Sequence, residues 1–190
     1  MPTAAPLRPR DRETEPSEGD LVEQTTESVL QMMQAGAPQR DMLARLTMAA
    51  EMLAGSGAVA SILVLDRDGL LRNGASPNLP ADYLDAIDRL KPDAKVGTCA
   101  AAAATGLVVF TPDFFADDKW AELRHLPLAL GFAGAWSMPI KSAEGKVLGT
   151  FGTYFRVSRS PTPEELREVE RLAAVAALVL AQFSRNNSRS

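Results

Sequence analysis

Apolar residues recur at helical spacing in two stretches near the start of the chain and in one near its end. The first two rows are Val22, Thr25, Val29 and Met32, then Leu43, Leu46, Ala50 and Leu53. A Gly-Ala-Pro break at residues 36–38 separates them, because proline cannot continue a helical hydrogen-bond ladder. The third row alternates by three and four residues: Leu166, Val169, Ala173, Ala176, Leu180 and Phe183. These patterns predict two N-terminal helices and one long C-terminal helix, which starts with Thr162 as N-cap and Glu165 at the capping-box position.

Between these helices the pattern changes to continuous apolar runs and to alternation, which are typical of strands. The predicted strands are residues 58–65, 70–75, 107–110 (short and buried), 133–140 and 147–155. Short turn signals join the first pair and the last pair, which indicates hairpins. Further helices are predicted at 81–90, at 98–105 and within 113–130. This order predicts an α+β domain: an antiparallel sheet with helices on its faces, and terminal helices that form a bundle.

The two ends of the chain differ in composition from its middle. Residues 1–20 contain four prolines, mixed charges and few large apolar groups, so we expect a disordered N-terminal tail. Residues 21–185 are expected to form a single domain, and residues 186–190 a second disordered tail. No secretory h-region is visible, and no apolar run reaches the roughly 18 residues of a membrane span. We therefore expect a cytoplasmic protein without membrane contact.

Composition limits the chemistry that this chain can perform. It has one cysteine and one histidine, which excludes an internal disulfide and leaves a zinc site incomplete. Its net charge of −4 argues against a nucleic-acid-binding surface, which needs a basic face. The sequence names no cofactor. With so few reactive side chains, we expect a pocket that binds rather than an active site that reacts.

The candidate site centres on the glycine-punctuated segment 96–110, VGTCAAAAATGLVVF. A helix that starts after Gly97 exposes unpaired N–H groups, with Thr98 as a cap, and such a start suits a small anion or a carbonyl. Cys99 at this start has the setting that favours a thiolate, although a buried packing role is the more common one. Asp117 and Asp118 are expected to cap the segment with Trp120 rather than to act as an acid–base pair. The expected ligand-binding residues are Tyr83, Ile87, Thr98, Cys99, Ala100, Trp120, His125, Trp136 and Met138.

The order of several motifs resembles a GAF domain, the small-molecule sensing module of signalling proteins. The matching segments are Gly97-Thr98-Cys99, Val108 to Asp113, Asp118 to Trp120, Trp136 to Ile140, Val147 to Phe151, and Arg159 to Glu165. The resemblance covers roughly residues 41–184 and is greatest to GAF domains of bacterial sensor kinases. It implies a non-enzymatic sensor that binds a small anion or metabolite, as GAF-type nitrate receptors do, and signals to a partner such as a histidine kinase.

The chain departs from that family pattern at Ala100, where a glycine is usual, and this narrows the space against the helix backbone. The family's free-methionine-sulfoxide-reducing enzymes use several cysteines, and covalent bilin attachment, as in phytochrome-type GAF domains, would need a cysteine beside His125. Neither pattern is present here. Two alternatives stay open: a redox sensor or enzyme that uses Cys99, and a ligand-free dimerisation module.

The last predicted helix is apolar on nearly two sides, because Leu172, Val175 and Val179 lie beside its main row. One sheet face does not cover so wide an arc, and exposed apolar patches commonly mark an interface. We therefore expect a homodimer through the terminal helices.

Overall fold

A single antiparallel sheet organises the fold. The computed structural model describes residues 18–55 and 57–187. The strands are β1 (Val59–Leu65), β2 (Leu71–Ala75), β3 (Val109–Thr111), β4 (Gly134–Lys141) and β5 (Val147–Phe155). Their spatial order is β2-β1-β5-β4-β3, and each neighbouring pair is antiparallel. The predicted fold class is confirmed. Strand β3 differs from its prediction: it is an edge strand in which Phe110 is exposed, rather than a buried one.

The helices divide between the two faces of this sheet. They are α1 (Glu18–Gln34), α2 (Gln39–Ala54), α3 (Ala81–Ala86), α4 (Thr98–Thr105), α5 (His125–Ala129) and α6 (Pro163–Asn187), with one turn of 3-10 helix at Asp118–Trp120. Helices α2 and α6 pack on one face, and α1 packs on both of them. We call this side the bundle face. Helix α4 covers the opposite face, which we call the pocket face.

The ends of the described chain correct two predicted boundaries. Helix α1 begins at Glu18, so residues 18–20 are helical rather than disordered, and α6 continues through residues 186 and 187. The remaining parts of both predicted tails, residues 1–17 and 188–190, lie outside the described residues. The predicted capping box of α6 is present: the Glu165 N–H donates to Thr162 Oγ1 over 3.1 Å, and the Thr162 N–H donates to Glu165 Oε2 over 2.6 Å.

Both apolar rows of α6 are covered within one chain. Leu172, Val175 and Val179 are buried in the same cluster as Val22 of α1 and Leu46 of α2. The expectation that a second subunit must cover this second row is therefore wrong, because α1 and α2 of the same chain already do so. Homodimerisation through the terminal helices stays a prediction, and such a dimer must use helix residues other than this row.

Candidate ligand-binding site

Gly97 sets the start of α4. It has φ +57°, a left-handed value that suits glycine, and no side chain caps the helix. Its N–H donates to the Lys119 carbonyl over 2.7 Å, which joins the start of α4 to the segment with Trp120. The prediction that Thr98 caps α4 is wrong. Thr98 Oγ1 instead accepts a hydrogen bond from Ser137 Oγ of β4 over 3.2 Å.

Cys99 is the only cysteine of the chain, and it points into the sheet rather than toward solvent. Its Sγ lies 3.0 Å from Ser137 Oγ. Burial raises the pKa of the Cys99 thiol, although hydrogen bonds from neighbouring hydroxyls oppose the shift. The thiol is therefore protonated at neutral pH, because desolvation outweighs any stabilisation of a thiolate by the helix start.

Small residues beneath Cys99 let α4 lie close to the sheet. Ser61, Gly152 and Ser137 are direct partners on β1, β5 and β4. A Cβ at Gly152 would stand 3.0 Å from Cys99 Sγ and 3.2 Å from Ser61 Oγ, so the position has no room for a side chain. The pocket face is consequently built from small side chains where α4 crosses it, and large side chains of β4 are directed to the bundle face.

Two tyrosines connect α3 to the sheet. The hydroxyl of Tyr83 donates to that of Tyr154 on β5 over 2.9 Å, and the rings meet edge to face with centroids 5.9 Å apart. Both residues are buried, and desolvation raises the pKa of each phenol well above its ordinary value. This pair holds the short helix α3 against the pocket face.

Trp120 lines the site near the start of α4. Its ring lies against Phe114, with centroids 4.5 Å apart, and against Gly97. Asp117 positions this turn, since its carboxylate accepts from the Lys119 N–H over 3.0 Å and from Thr111 Oγ1 over 2.6 Å. Burial opposes ionisation of Asp117, but the hydrogen bonds from Lys119 and Thr111 outweigh it and lower the pKa. Asp117 is thus a capping residue, as predicted.

Between these elements lies a cavity of about 20 Å³, enough for roughly one water molecule. Only apolar atoms form its accessible wall. Trp120 is 4% exposed, and its indole Nε1 has no hydrogen-bond partner among the described residues. The lining residues are Leu63, Tyr83, Ile87, Leu90, Gly97, Thr98, Cys99, Ala100, Trp120, Leu123 and Tyr154.

The cavity brings together six of the nine predicted site residues and leaves out three. Trp136 and Met138 lie on the bundle face, so the expectation that they share this cavity is wrong. They face the helices because the small residues that alternate with them, Ala135 and Ser137, occupy the narrow space below α4. His125 is exposed at the start of α5 and is not part of the wall.

Sequence reasoning missed Tyr154, Leu63, Leu90 and Leu123 as wall residues. A signal for Tyr154 was present in the alternation of β5. Gly152 and Tyr154 fall on one face of that strand, while Phe151 and Phe155 fall on the other. A small residue that makes room for a helix marks the pocket face, and Tyr154 shares that face with Gly152.

The raised pKa values of Cys99, Tyr83 and Tyr154 predict a specific pH dependence of stability. The folded state favours the protonated forms of these three groups, which therefore add to the free energy of unfolding. This stabilisation is complete at a pH below the pKa values of the unfolded state, and it is lost as the pH rises through the pKa values of the folded state. The free energy of unfolding should therefore fall above about pH 8, where an unfolded thiol begins to ionise. Urea unfolding of Cys99→Ser between pH 7 and 11 should show a shallower fall than the natural protein. If the free energy of unfolding fell equally steeply with pH in both proteins, the pH dependence would not arise from the buried thiol of Cys99.

Comparisons with known proteins agree with this architecture. The chain is 32% identical over 153 residues to the methyl sulfide methyltransferase-associated sensor of Methanosarcina acetivorans. That match covers 80% of this chain but only 15% of the relative's length. The chain therefore corresponds to a small part of that sensor.

Several solved structures share the fold at low sequence identity. The GAF domain of a phosphoenolpyruvate-protein phosphotransferase from Coxiella burnetii has a TM-score of 0.71 at 17% identity and covers 90% of this chain and 99% of that one. A domain of a protein described as a two-component sensor histidine kinase, from Sinorhizobium meliloti, has a TM-score of 0.65 at 19% identity, with 80% and 96% covered. Free methionine-R-sulfoxide reductase from Neisseria meningitidis has a TM-score of 0.68 at 14% identity, with 89% and 91% covered.

No helix in the described part of the chain is long and apolar enough to cross a bilayer. The model of the GAF domain family matches residues 36–181, which is most of the chain and includes the sheet, the cavity and the first three quarters of α6. Together with the sensor relative and the shared fold, this match shows that the chain belongs to the GAF domain family.

Proposed function

We propose that this protein is a non-enzymatic cytoplasmic sensor that binds a small uncharged ligand in the cavity beside α4 and signals to a partner such as a histidine kinase. The observation that supports this most strongly is the apolar cavity that Trp120 lines, because the buried Nε1–H of the same tryptophan has no partner among the described residues. Buried polar groups normally have hydrogen-bond partners, so this N–H is the donor that an acceptor atom of the ligand would bond when the site opens.

The wall favours an uncharged ligand over the small anion that the family resemblance suggests. Among the described residues, no lysine, arginine or histidine lines the cavity. An unpaired anion enclosed among apolar atoms would have a large desolvation cost. A mostly apolar molecule with a single acceptor atom for Trp120 fits this environment better.

Entry of such a ligand requires the site to open, because the closed cavity has space for about one water molecule. Helix α3 is the element best suited to move. It has six residues, and its buried contact with the sheet is made through Tyr83. Short elements with few buried contacts open at low free-energy cost. Ligand binding would then separate Tyr83 from Tyr154.

Strand β5 connects the cavity with the bundle. Tyr154 contacts the cavity, while the adjacent Phe155 and the nearby Phe151 pack among the helices of the bundle face. A shift of β5 on ligand entry would therefore alter the packing of α2 and α6. The ligand acts as a signal to the extent that its affinity differs between the two helix arrangements.

The proposal predicts that an uncharged probe binds and that its charged counterpart does not. Acetone and acetate have the same shape, and acetone presents one acceptor on an apolar body. In ¹⁵N-labelled protein, acetone should shift the indole N–H signal of Trp120 in a saturable way, and acetate at the same concentration should not. The signals of the two tryptophans are assigned with Trp136→Phe.

Trp120→Phe provides the matched control, since it removes the donor and keeps most of the ring. It should weaken acetone binding by about fivefold to tenfold, the usual effect of one neutral hydrogen bond. If acetate bound as strongly as acetone, the proposal of an uncharged ligand would be wrong, and a small anion would be the better candidate. Absence of a saturable shift with both probes would leave the ligand-free dimerisation module as the better explanation.

The enzymatic alternative depends on Cys99. The fold is shared with methionine sulfoxide reductases, but here the sole thiol is buried and its pKa is raised. Cys99→Ser should therefore retain acetone binding and show no loss of catalytic turnover. Reduction of a sulfoxide substrate by the natural protein that disappears in this variant would overturn the non-enzymatic assignment.

A further inference from the structure

An open groove lies at one edge of the sheet, away from the ligand cavity. It measures about 360 Å³ and runs between α6 and the loop that joins α4 to β3. Its apolar lining is Leu107, Val108, Met138, Pro139, Ala173 and Ala174, with Lys141 and Glu170 beside them. We call it the edge groove. Leu107 is 66% exposed and adds a large apolar side chain to the rim of the groove.

The edge groove exists because β3 is short. Strand β3 pairs with residues Ala135 to Ser137 of β4, so the outer edge of β4 from Met138 to Lys141 has no neighbouring strand among the described residues. Pro139 lies in this open stretch and has no N–H to donate. An added strand would lack a hydrogen bond there, so a partner that covers this edge must pack through side chains.

The outer face of α6 extends the same surface. Glu170, Ala174 and Leu178 are spaced four residues apart and share one face of the helix, and all three are exposed. Leu178 is 54% exposed, and it lies one turn beyond the end of the groove lining. Nearby charges on α6 are already paired, since Arg167 bonds to Glu164 and Arg171 bonds to Glu168.

The unpaired charges of the edge groove have opposite signs and lie at opposite ends. Helix α6 runs in the same direction as β4. Near the start of both, Arg159, which precedes α6, packs on Phe155, and Phe155 pairs with the first residue of β4. Near the end of both, Leu180 of α6 lies beside Leu148 of β5. Glu170 is therefore toward the start of β4, and Lys141 is at its end. Neither residue forms an ion pair among the described residues.

We propose that the edge groove is the surface through which two copies of this chain associate about a two-fold axis. A two-fold axis across the groove brings Lys141 of each copy to Glu170 of the other, because a surface with one charge of each sign at its ends is complementary to itself. The exposed Leu107 and Leu178 would be covered in the same contact. This interface is independent of the ligand cavity and differs from the α6 rows that are buried within one chain.

Charge reversal tests this arrangement directly. Sedimentation velocity at micromolar concentrations should show a dimer for the natural protein. Lys141→Glu and Glu170→Lys should each weaken it by at least about tenfold, because each places like charges at both ends of the interface. An equimolar mixture of the two variants should dimerise again, since every contact then joins opposite charges. Native mass spectrometry should identify that species as the mixed dimer.

Two further variants separate this interface from general charge effects. Lys146→Glu makes the same charge change at an exposed site outside the edge groove and should leave the dimer intact. Ala174→Arg introduces a large side chain at an exposed, helix-compatible position and should give a folded monomer. A monomeric natural protein, or a dimer that tolerates both charge reversals and Ala174→Arg, would overturn the proposal.

Discussion

Replacement of Gly149 with alanine is expected to lower the free energy of unfolding by at least about 3 kcal/mol, the upper end of typical overpacking costs. Gly149 lies in β5, between Val64 of β1 and Ile140 of β4. A Cβ at this position would overlap the carbonyl oxygen of Leu63, which belongs to the backbone of the central sheet and has no rotamer to change. The large loss is expected because the strands would have to separate locally to admit the methyl group.

Gly145→Ala is the matched control for Gly149→Ala. Gly145 lies in the turn between β4 and β5, has φ +82° and has no atom near the site of a new Cβ. Its cost should be about 1 kcal/mol, from the left-handed conformation alone. Urea unfolding followed by circular dichroism measures both. Equal unfolding midpoints for the two variants would contradict the close contact at Gly149.

The second large effect is expected at Glu165, at the start of α6. Its Oε1 accepts from Arg159 Nη2 over 2.7 Å, and its Oε2 accepts from Arg159 Nη1 over 2.8 Å. Arg159 also donates to the carbonyl of Ala54 at the end of α2 and lies over the ring of Phe155. Glu165 therefore joins the two sheet-packing helices of the bundle through one arginine. Glu165→Gln should cost about 2 kcal/mol, as expected for charged hydrogen bonds with a nearly buried carboxylate.

The neighbouring Glu164 provides the comparison. It also bonds to an arginine, Arg167, over 2.8 Å, but both side chains of that pair are exposed. Glu164→Gln should therefore change stability by less than about 0.5 kcal/mol. Thermal unfolding of the two variants under identical conditions measures the difference. Similar losses in both would show that burial and the contact with α2 add nothing to the Glu165 pair.

Local sequence patterns predicted most of the elements. The limits of α4 and β5 agree with the predicted ones, because glycine and turn residues end each element sharply. Thr162 and Glu165 form the predicted capping box, which depends only on residues three positions apart. Helix α3 ends at Ala86, earlier than predicted, because chain contacts with the sheet rather than local propensity decide its last turn.

The candidate site was predicted only in part, because face assignment is a tertiary property. Alternation along β4 places Trp136 and Met138 on one face and Ala135 and Ser137 on the other. It did not show which set faces α4. That choice follows from volume: the alanine-rich helix approaches the sheet closely, so the small set must lie beneath it.

The sequence by itself determined the element order, the helix and strand periods, and the GAF-type motifs, since each arises from residues that are near one another along the chain. Only the tertiary structure decided the partners of those elements. It directed Trp136 to the bundle, placed Tyr154 beside Tyr83, and covered the second row of α6 with α1. It also buried the thiol of Cys99, whose position at a helix start had favoured ionisation. In each case the environment of the side chain depends on the volume and the charge of segments that are distant along the chain. The spacing of neighbouring residues does not specify which distant segments will meet.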